Sequence, residues 1–346
     1  MLSTQLTIAK NLLLNSALSP KAKLTLLKRL YAYKKHSTGR TVIFDISHVC
    51  NGRCYFCQTG FANRNNTPCK SQSGKQFVEV DFFHKILKHL KEQNFLNDGT
   101  QLHLFNWFEP LLHPEFASII KTATQENCLI GLSTNANVLP KLPSDFDASR
   151  VVLLIFSMCG FSQQSYDKIH QFDFEHIKHN VERIVKDFRN HGCVGEMYIS
   201  FHLYQFNLHE LQAAYEWAKQ LHINICPTFA YINDGPRLLQ FFKKELSMDY
   251  LQEVSNSLFM GMYTKIFHPT TSCSLMNNIT IEMDGQCDLC CGLDEKIGNV
   301  FDMTPEKLAR IHYESPTCKE CMALGIPCLE RGVHCNMQQL ANAFHQ

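Results

Sequence analysis

The chain is organised around the stretch Cys50-Asn51-Gly52-Arg53-Cys54-Tyr55-Phe56-Cys57, which carries three cysteines within eight residues. It directly follows a strand-like run, Thr41-Val42-Ile43-Phe44-Asp45-Ile46-Ser47. In an α/β domain, the loop after a strand is where functional sites are usually built. The sequence therefore predicts a group of thiols at the end of a strand.

The spacing of these cysteines, C-x3-C-x2-C, limits what they can bind. Three thiolates on a short loop can hold three irons of a cuboidal [4Fe–4S] cluster and leave the fourth iron open to another ligand. A structural zinc site takes four ligands, commonly as C-x2-C pairs, and fits this spacing poorly. A chance group of cysteines in a cysteine-rich chain is the alternative, because a motif needs a fitting structural context.

Length and composition set further limits. A chain of 346 residues predicts one large domain plus a smaller one. The 33 basic and 32 acidic residues nearly cancel, so no overall field favours nucleic acid. Residues 1–20 lack the features of a signal peptide, and no run of 18 apolar residues predicts a transmembrane segment. The 16 cysteines therefore favour thiolate-bound metal in a reducing, cytoplasmic compartment.

Residues 1–40 form a basic arm without a single acidic residue. Ser19-Pro20 is typical of a helix start, and Leu24, Leu27 and Leu30 then recur at helical spacing. We expect a helix that docks on the main domain. A surface for an anionic membrane or partner and an organelle transit peptide are the alternatives.

Six strand-like runs alternate with helix-like runs between residues 41 and 230. The strand-like runs are 41–47, 102–106, 129–133, 151–157, 196–202 and 223–229. This alternation predicts an α/β fold with a parallel sheet and helices outside it. Six units are fewer than the eight of a closed barrel.

These features resemble the radical S-adenosylmethionine (radical SAM) superfamily. Its pattern is C-x3-C-x-aromatic-C, with Phe56 at the aromatic position, and its fold is a partial (β/α)6 barrel. The resemblance implies that Cys50, Cys54 and Cys57 hold a [4Fe–4S] cluster to which SAM binds. The segment from Asn106 to Pro114 looks like the G-G-E-P segment of the family, in which backbone carbonyls and the carboxylate grip the ammonium group of SAM.

Other strand ends extend the resemblance. Glu109 matches the acidic residue of the G-G-E-P segment. Ser133 and Asn135 lie in a stretch similar to the T-N-G segment of the family, and both offer donors and acceptors. Ser157 matches the serine of the S-x-D-G segment. The resemblance implies that these four residues, together with Phe56, line the SAM site.

The chain also departs from the family pattern. Trp107 and Phe108 stand in place of the two glycines of the G-G-E-P segment. Cys159 replaces the common aspartate and is either a buried inert thiol or a hydrogen-atom donor to a substrate radical. His202 or Tyr204 is expected to point inward from the fifth strand, where either could be no more than a satisfied core polar group.

The end of the chain is rich in cysteine. Residues 273–346 contain Cys273, Cys287, Cys290, Cys291, Cys318, Cys321, Cys328 and Cys335. Between the first two of these, Asp284-Gly285 is a strong hairpin-turn signal. The order of cysteine, hairpin, cysteine and C-x2-C pair resembles the SPASM and twitch domains, which hold one or two auxiliary [4Fe–4S] clusters.

This second resemblance implies one auxiliary cluster and leaves a second open. The ligands implied for the first are Cys273, Cys290, Cys318 and Cys321. The candidates for a second auxiliary cluster are Cys287, Cys291, Cys328 and Cys335, although the spacing departs from that of a full SPASM domain. A zinc site built from two C-x2-C pairs is the alternative.

The sequence thus predicts four regions. These are a basic helical arm at 1–40, the partial barrel at 41–230, a helical linker at 231–272 and a small cluster-binding domain at 273–346. The resemblance implies an enzyme that reductively cleaves SAM to a 5′-deoxyadenosyl radical, which abstracts hydrogen from a substrate. An electron donor such as flavodoxin or ferredoxin is the implied partner.

The sequence is compatible with three functions. We expect a small polar substrate, such as a sugar, aminosugar or nucleotide conjugate, that is oxidised or epimerised. The reason is that the arm is too short for the peptide-recognition domain that many peptide-modifying relatives carry. A peptide or protein side chain, as in ribosomal-peptide or sulfatase maturation, is the first alternative. A non-catalytic metal-binding scaffold is the second.

Overall fold

The computed structural model describes residues 40–66, 75–232, 234–260 and 268–328, together with positions 20 and 24. Most of the expected arm helix, and the candidate ligand Cys335, lie outside the described residues.

In the described chain, one sheet contains all the named strands. They are β1 (Thr41–Phe44), β2 (Gln101–His103), β3 (Leu129–Thr134), β4 (Val151–Ser157), β5 (Glu196–Leu203), β6 (Asn224–Phe229), β7 (Ile279–Ile281), β8 (Gln286–Cys290) and β9 (Leu293–Asn299). Their order across the sheet is β6-β5-β4-β3-β2-β1-β7-β8-β9. Strands β1 to β6 pair in parallel, each with its sequence neighbour. The predicted partial barrel is confirmed.

Helices connect the parallel strands, as the alternation predicts. The α-helices of the described chain are α1 (Gln58–Arg64), α2 (Val80–Glu92), α3 (Phe116–Gln125), α4 (Gln163–Ile169), α5 (Phe174–Asn190), α6 (Leu211–Gln220), α7 (Gly235–Lys243), α8 (Met248–Ser255), α9 (Pro305–Glu314) and α10 (Pro316–Ala323). None of them combines the length and apolar character that a membrane-spanning helix needs.

Helix α5 shows how the sequence builds these outer elements. Its apolar residues recur every three or four positions, and Ile177, Val181 and Ile184 are all buried against the sheet-side core. Asp173 caps the helix, because its carboxylate accepts a hydrogen bond of 2.7 Å from the His176 N–H. The helix therefore packs on the core with a fixed start.

The C-terminal strands continue the barrel sheet. Strand β7 pairs in parallel with β1, and Val42 lies opposite Ile279. Strand β8 then returns antiparallel to β7 through the predicted Asp284-Gly285 turn, where Gly285 has a φ of +85°. The region with the C-terminal cysteines is thus joined by hydrogen bonds to the strand that carries the first cysteine loop.

A charge network that includes two buried carboxylates supports this junction. Lys296 on β9 lies 2.5 Å from a carboxylate oxygen of Glu282, 2.7 Å from one of Asp288 and 3.0 Å from one of Asp294. Burial acts to lower the pKa of Lys296, but its bonds to Asp288 and Glu282 outweigh burial and raise that pKa. The three carboxylates therefore have an internal cation, and we interpret the group as structural.

Candidate functional site

The first cysteine loop directs two sulfurs into one space. A Cβ atom at Gly52 would lie 3.3 Å from the Sγ of Cys54 and 3.5 Å from the Sγ of Cys50. The Gly52 N–H also points at the Sγ of Cys50, at 3.4 Å. Glycine at this position leaves room beside both sulfurs that any side chain would fill.

Helix α1 holds the loop in this shape. The side-chain amide of Asn63 donates hydrogen bonds to the carbonyls of Cys50, at 2.9 Å, and Gly52, at 2.7 Å. Gly60 packs against the backbone of Cys54 so closely that a Cβ there would lie 2.3 Å from both its N and its O. On its other side, the loop is tied to α4 by the hydrogen bond of 2.8 Å from the Tyr55 N–H to the Ile169 carbonyl.

The thiols of this loop perturb one another electrostatically. Burial raises the pKa of Cys50 to about 12, and the charges of Glu109 and Cys57 add to the rise. Burial also raises the pKa of Cys54 well above its usual value, and the charges of Cys57 and Cys50 raise it further. Three thiolates on one largely buried loop need a positive counter-charge. Iron in a cluster supplies one and ligates thiolates, so the donor set fits a [4Fe–4S] cluster.

Glu109 and Asn135 are both brought to this loop. The Glu109 carboxylate is 2 % exposed and accepts hydrogen bonds from the Leu111 N–H (3.0 Å), the Thr134 hydroxyl (2.8 Å) and the Asn135 N–H (2.7 Å). Burial raises its pKa to about 7. The Asn135 side-chain amide donates to Asn51 at 2.9 Å and lies 3.9 Å from the Sγ of Cys50.

The other predicted SAM-site residues lie on the same strand ends. Ser133 and Ser157 are half-buried on β3 and β4. The ring of Phe56 packs edge-on against His202, with 4.5 Å between ring centroids, and against His170 at 5.8 Å. A role of these residues in binding SAM stays a prediction.

The segment that replaces the G-G-E-P glycines is anchored by Asp45 at the end of β1. The Asp45 carboxylate accepts hydrogen bonds from the N–H groups of Asn106 (2.8 Å) and Trp107 (2.9 Å). Burial raises its pKa to about 7. Phe108 is buried, and its ring lies 5.0 Å from that of His48, whereas Trp107 lines the large cavity described below.

Cys159 is fully buried and lies two residues after the end of β4. Its Sγ lies 3.8 Å from the Ser157 hydroxyl and 3.9 Å from the Ser200 carbonyl oxygen. Burial raises its pKa to about 12. Its backbone N–H donates to Nε2 of His170 at 3.2 Å. A hydrogen-donor role for Cys159 stays a prediction.

The C-terminal cysteines line one cavity of about 280 Å³. Four of the cysteines in its wall are the predicted ligands Cys273, Cys290, Cys318 and Cys321. Burial raises the pKa of Cys321 to about 12, and the charges of the other three raise it further. The structure therefore brings the four predicted ligands together.

The spread of these sulfurs distinguishes between zinc and a cluster. Among the described residues, Glu282, Asp288 and Asp294 form the only group of three potential ligands whose atoms all lie within 4.8 Å of one another. No three described cysteine sulfurs are therefore that close, whereas ligands at about 2.3 Å from one zinc ion must be. The wider spread fits a cluster of several irons better.

Solved structures show what this architecture is similar to. SuiB of Streptococcus suis bound to the precursor peptide SuiA is 12% identical, with a TM-score of 0.54 over 90% of this chain and 76% of that one. SuiB bound to S-adenosylmethionine is 11% identical, with a TM-score of 0.52 over 90% and 77%. Native anSMEcpe with bound AdoMet is 17% identical, with a TM-score of 0.51 over 84% of each chain.

These neighbours are radical SAM enzymes with SPASM-type domains. The chain has the radical SAM fold. No sequence-family profile matches it. No curated protein matches it in sequence either. The fold implied by the cysteine spacing is thus confirmed by structure where whole-sequence comparison finds nothing.

Within the radical SAM fold, the candidates for a second auxiliary cluster are scattered. Cys291 lines the same cavity as the four predicted ligands. Cys287 is fully buried in the hydrophobic core, opposite Ile281 on the neighbouring strand. The Sγ of Cys328 lies 3.7 Å from Nε2 of His268. Of the three candidates in the described residues, the structure brings only Cys291 to the four ligands, and a second auxiliary cluster stays a prediction.

Sequence reasoning missed His170 as a site residue. Its Nδ1 lies 3.2 Å from the Sγ of Cys54, although 116 positions separate the two residues. No local pattern marks it, because the contact depends on how α4 packs against the cysteine loop of the radical SAM fold.

Proposed function

We propose that the chain is a radical SAM enzyme that reductively cleaves SAM. One observation carries the proposal: the loop after β1 places the Cys50 and Cys54 sulfurs together and contacts Asn135, at the end of β3. Cys50, Cys54 and Cys57 would hold a [4Fe–4S] cluster. When SAM is bound, this cluster supplies the electron that releases a 5′-deoxyadenosyl radical.

The residues of the chain would bind and orient SAM and exclude water from it. Asn135 has a side-chain amide beside the cluster loop and is a candidate to bind the SAM carboxylate or ribose. Ser133 and Ser157 offer hydroxyls on the same strand ends. Glu109 is the candidate for the ammonium group, and its carboxylate also fixes the backbone of Asn135.

The second cysteine site would hold an auxiliary [4Fe–4S] cluster through Cys273, Cys290, Cys318 and Cys321. Bound there, the cluster would serve as an electron acceptor or as a substrate ligand. The cavity around it also includes Asn106 and Trp107 from the barrel and Tyr231 and Asp234 from the segment after β6. We therefore propose that the substrate enters between the barrel and the C-terminal strands.

The cavity wall bears on the class of substrate. Most of the wall is apolar, with side chains such as Leu238, Leu289 and Met276. Such a wall suits an apolar peptide side chain better than a bare sugar. SuiB, which was solved with a precursor peptide, agrees with this choice. A small polar substrate is the second candidate, supported by the polar side chains of Asn106 and Asp234 in the same wall.

The central experiment is anaerobic reconstitution with iron and sulfide, followed by dithionite and SAM. We expect 5′-deoxyadenosine from the wild type and none from a triple variant with Cys50, Cys54 and Cys57 changed to alanine. The matched control changes Cys128, Cys193 and Cys226, which lie outside both cysteine sites, and should keep the activity. Turnover in the first variant would refute the proposal, and an iron-loaded wild type that forms no 5′-deoxyadenosine would favour a scaffold.

A second experiment separates the substrate classes. Deuterated peptides with apolar side chains and deuterated sugars or nucleotide conjugates are each supplied to the active enzyme. Transfer of deuterium into 5′-deoxyadenosine marks the true class, because the radical takes its hydrogen from the substrate. Transfer from the sugars alone would overturn the peptide assignment.

A further inference from the structure

A histidine lies against the sulfur of one proposed cluster ligand. The Nδ1 atom of His170 is 3.2 Å from the Sγ of Cys54, and both side chains are buried. The His170 backbone carbonyl also accepts a hydrogen bond of 3.4 Å from the Arg53 N–H, one residue before that cysteine. The His170 residue and the cysteine loop are therefore held together by more than one contact.

The neighbouring backbone fixes which nitrogen of His170 carries the proton. The Cys159 N–H donates to Nε2 at 3.2 Å, so Nε2 must be the acceptor. A neutral imidazole has one donor and one acceptor nitrogen, and the proton is therefore on Nδ1, facing the sulfur. The contact is a hydrogen bond from Nδ1–H to the Cys54 sulfur.

The ring has little freedom to leave this position. The centroid of Tyr166 lies 4.9 Å away, that of Phe56 lies 5.8 Å away and that of Phe172 lies 6.4 Å away. His170 is only 1 % exposed, so water does not compete for the sulfur. A hydrogen bond in such surroundings is stronger than one in water.

We propose that His170 is a positioning residue that raises the reduction potential of the cluster held by Cys50, Cys54 and Cys57. The inference rests on the proposed function, because it needs a cluster at these cysteines. A reduced cluster carries one more negative charge than an oxidised one. An N–H directed at a ligand sulfur therefore stabilises the reduced form more. Cys159 contributes through its backbone, which sets the tautomer of the imidazole.

The test compares holoenzymes in an EPR-monitored redox titration without SAM. The signal of this cluster is identified by its absence from the triple variant of Cys50, Cys54 and Cys57. His170→Phe keeps an aromatic ring among the same neighbours and removes the donor. We expect about a tenfold lower ratio of reduced to oxidised cluster at fixed potential, equivalent to about 59 mV for one electron. The auxiliary signal should not move.

Two further variants separate the hydrogen bond from packing. His202→Phe makes the same substitution in a ring that also packs on Phe56, and the Nδ1 of His202 has no hydrogen-bond partner among the described residues. We expect no shift there. His170→Asn places an amide N–H near the former Nδ1 and should restore most of the potential. An unchanged potential in iron-loaded His170→Phe, or an equal shift in His202→Phe, would overturn the proposal.

A measurement on the wild type keeps the proposal testable if His170→Phe takes up no iron. Electron-spin-echo spectroscopy of the reduced cluster should detect coupling to a histidine nitrogen. Its absence would overturn the proposal. A wild type that has the coupling but forms no 5′-deoxyadenosine would refute the proposed function alone. A wild type without iron at these cysteines would refute both.

Discussion

Glu109 and Asn135 are joined by a hydrogen bond of 2.7 Å from the Asn135 N–H to the Glu109 carboxylate. The bond links the segment after β2 to the end of β3. It fixes the backbone from which the Asn135 side chain reaches the first cysteine loop. A carboxylate that resembles a ligand-binding group in sequence is therefore also a structural support of the site.

This relationship predicts the effect of Glu109→Gln. The amide group of Gln would place an N–H against the Asn135 N–H, which would leave a buried donor without an acceptor. We expect a loss of about 1–3 kcal/mol in the free energy of unfolding. The measurement is urea denaturation of the apoprotein. Glu115→Gln, at an exposed position nearby, is the control and should change little.

The loss should also depend on pH. Burial raises the pKa of Glu109 from 4.5 to about 7, so the native state binds more protons than the unfolded state between these values. Stability from this group therefore falls as pH rises through that range and is constant above it. Only the wild type has this contribution. The free energy of unfolding of the wild type should therefore exceed that of Glu109→Gln by more at pH 5 than at pH 8. A difference that grows with pH would contradict the burial argument.

A second prediction concerns Gly60→Ala. In an ordinary helix this change stabilises by about 0.5–1 kcal/mol. Here the new Cβ would lie 2.3 Å from the N and the O of Cys54, so the helix or the loop must move. We expect loss of iron at the first site. The control is Gly292→Ala. A Cβ at this position would meet no atom closer than the Cys290 Sγ, at 4.0 Å, so the iron content should not change.

The two cysteine sites should lose iron independently. A double variant, Cys318→Ala with Cys321→Ala, removes half of the proposed auxiliary ligands. We expect iron per chain to fall from about eight to about four, while 5′-deoxyadenosine still forms. Cys287 lies in the hydrophobic core, so the Cys287→Ala variant should keep the iron content of the wild type. Iron loss in Cys287→Ala would instead place this residue among the ligands of a second auxiliary cluster.

A Cys159→Ala variant distinguishes between the two roles predicted for Cys159, a buried inert thiol and a hydrogen-atom donor. Its side chain is fully buried and lines neither the cavity at the auxiliary cysteines nor the small one at Phe56 and Cys57. We therefore expect Cys159→Ala to form product with unchanged hydrogen incorporation from solvent. The measurement is product mass in deuterated water. Loss of solvent deuterium from the product would establish the thiol as the donor.

The strand ends explain why much of the site could be predicted. Cysteines 50, 54 and 57 form a local motif, and the order of strands in a parallel sheet brings Glu109 and Asn135 to the same edge. The environment of His170 could not be predicted in this way. Its contact with Cys54 depends on the angle at which α4 meets the loop, and no periodicity encodes that angle.

The sequence by itself determined the six-strand barrel, the Asp284-Gly285 hairpin and the candidate ligands of both cysteine sites. These follow from residue spacing, which acts over a few positions of the chain. Only the tertiary structure decided which cysteines share a cavity, that Lys296 bridges three carboxylates and that His170 lies against the Cys54 sulfur. Such contacts join residues far apart in sequence, and their distances are set by packing of whole elements.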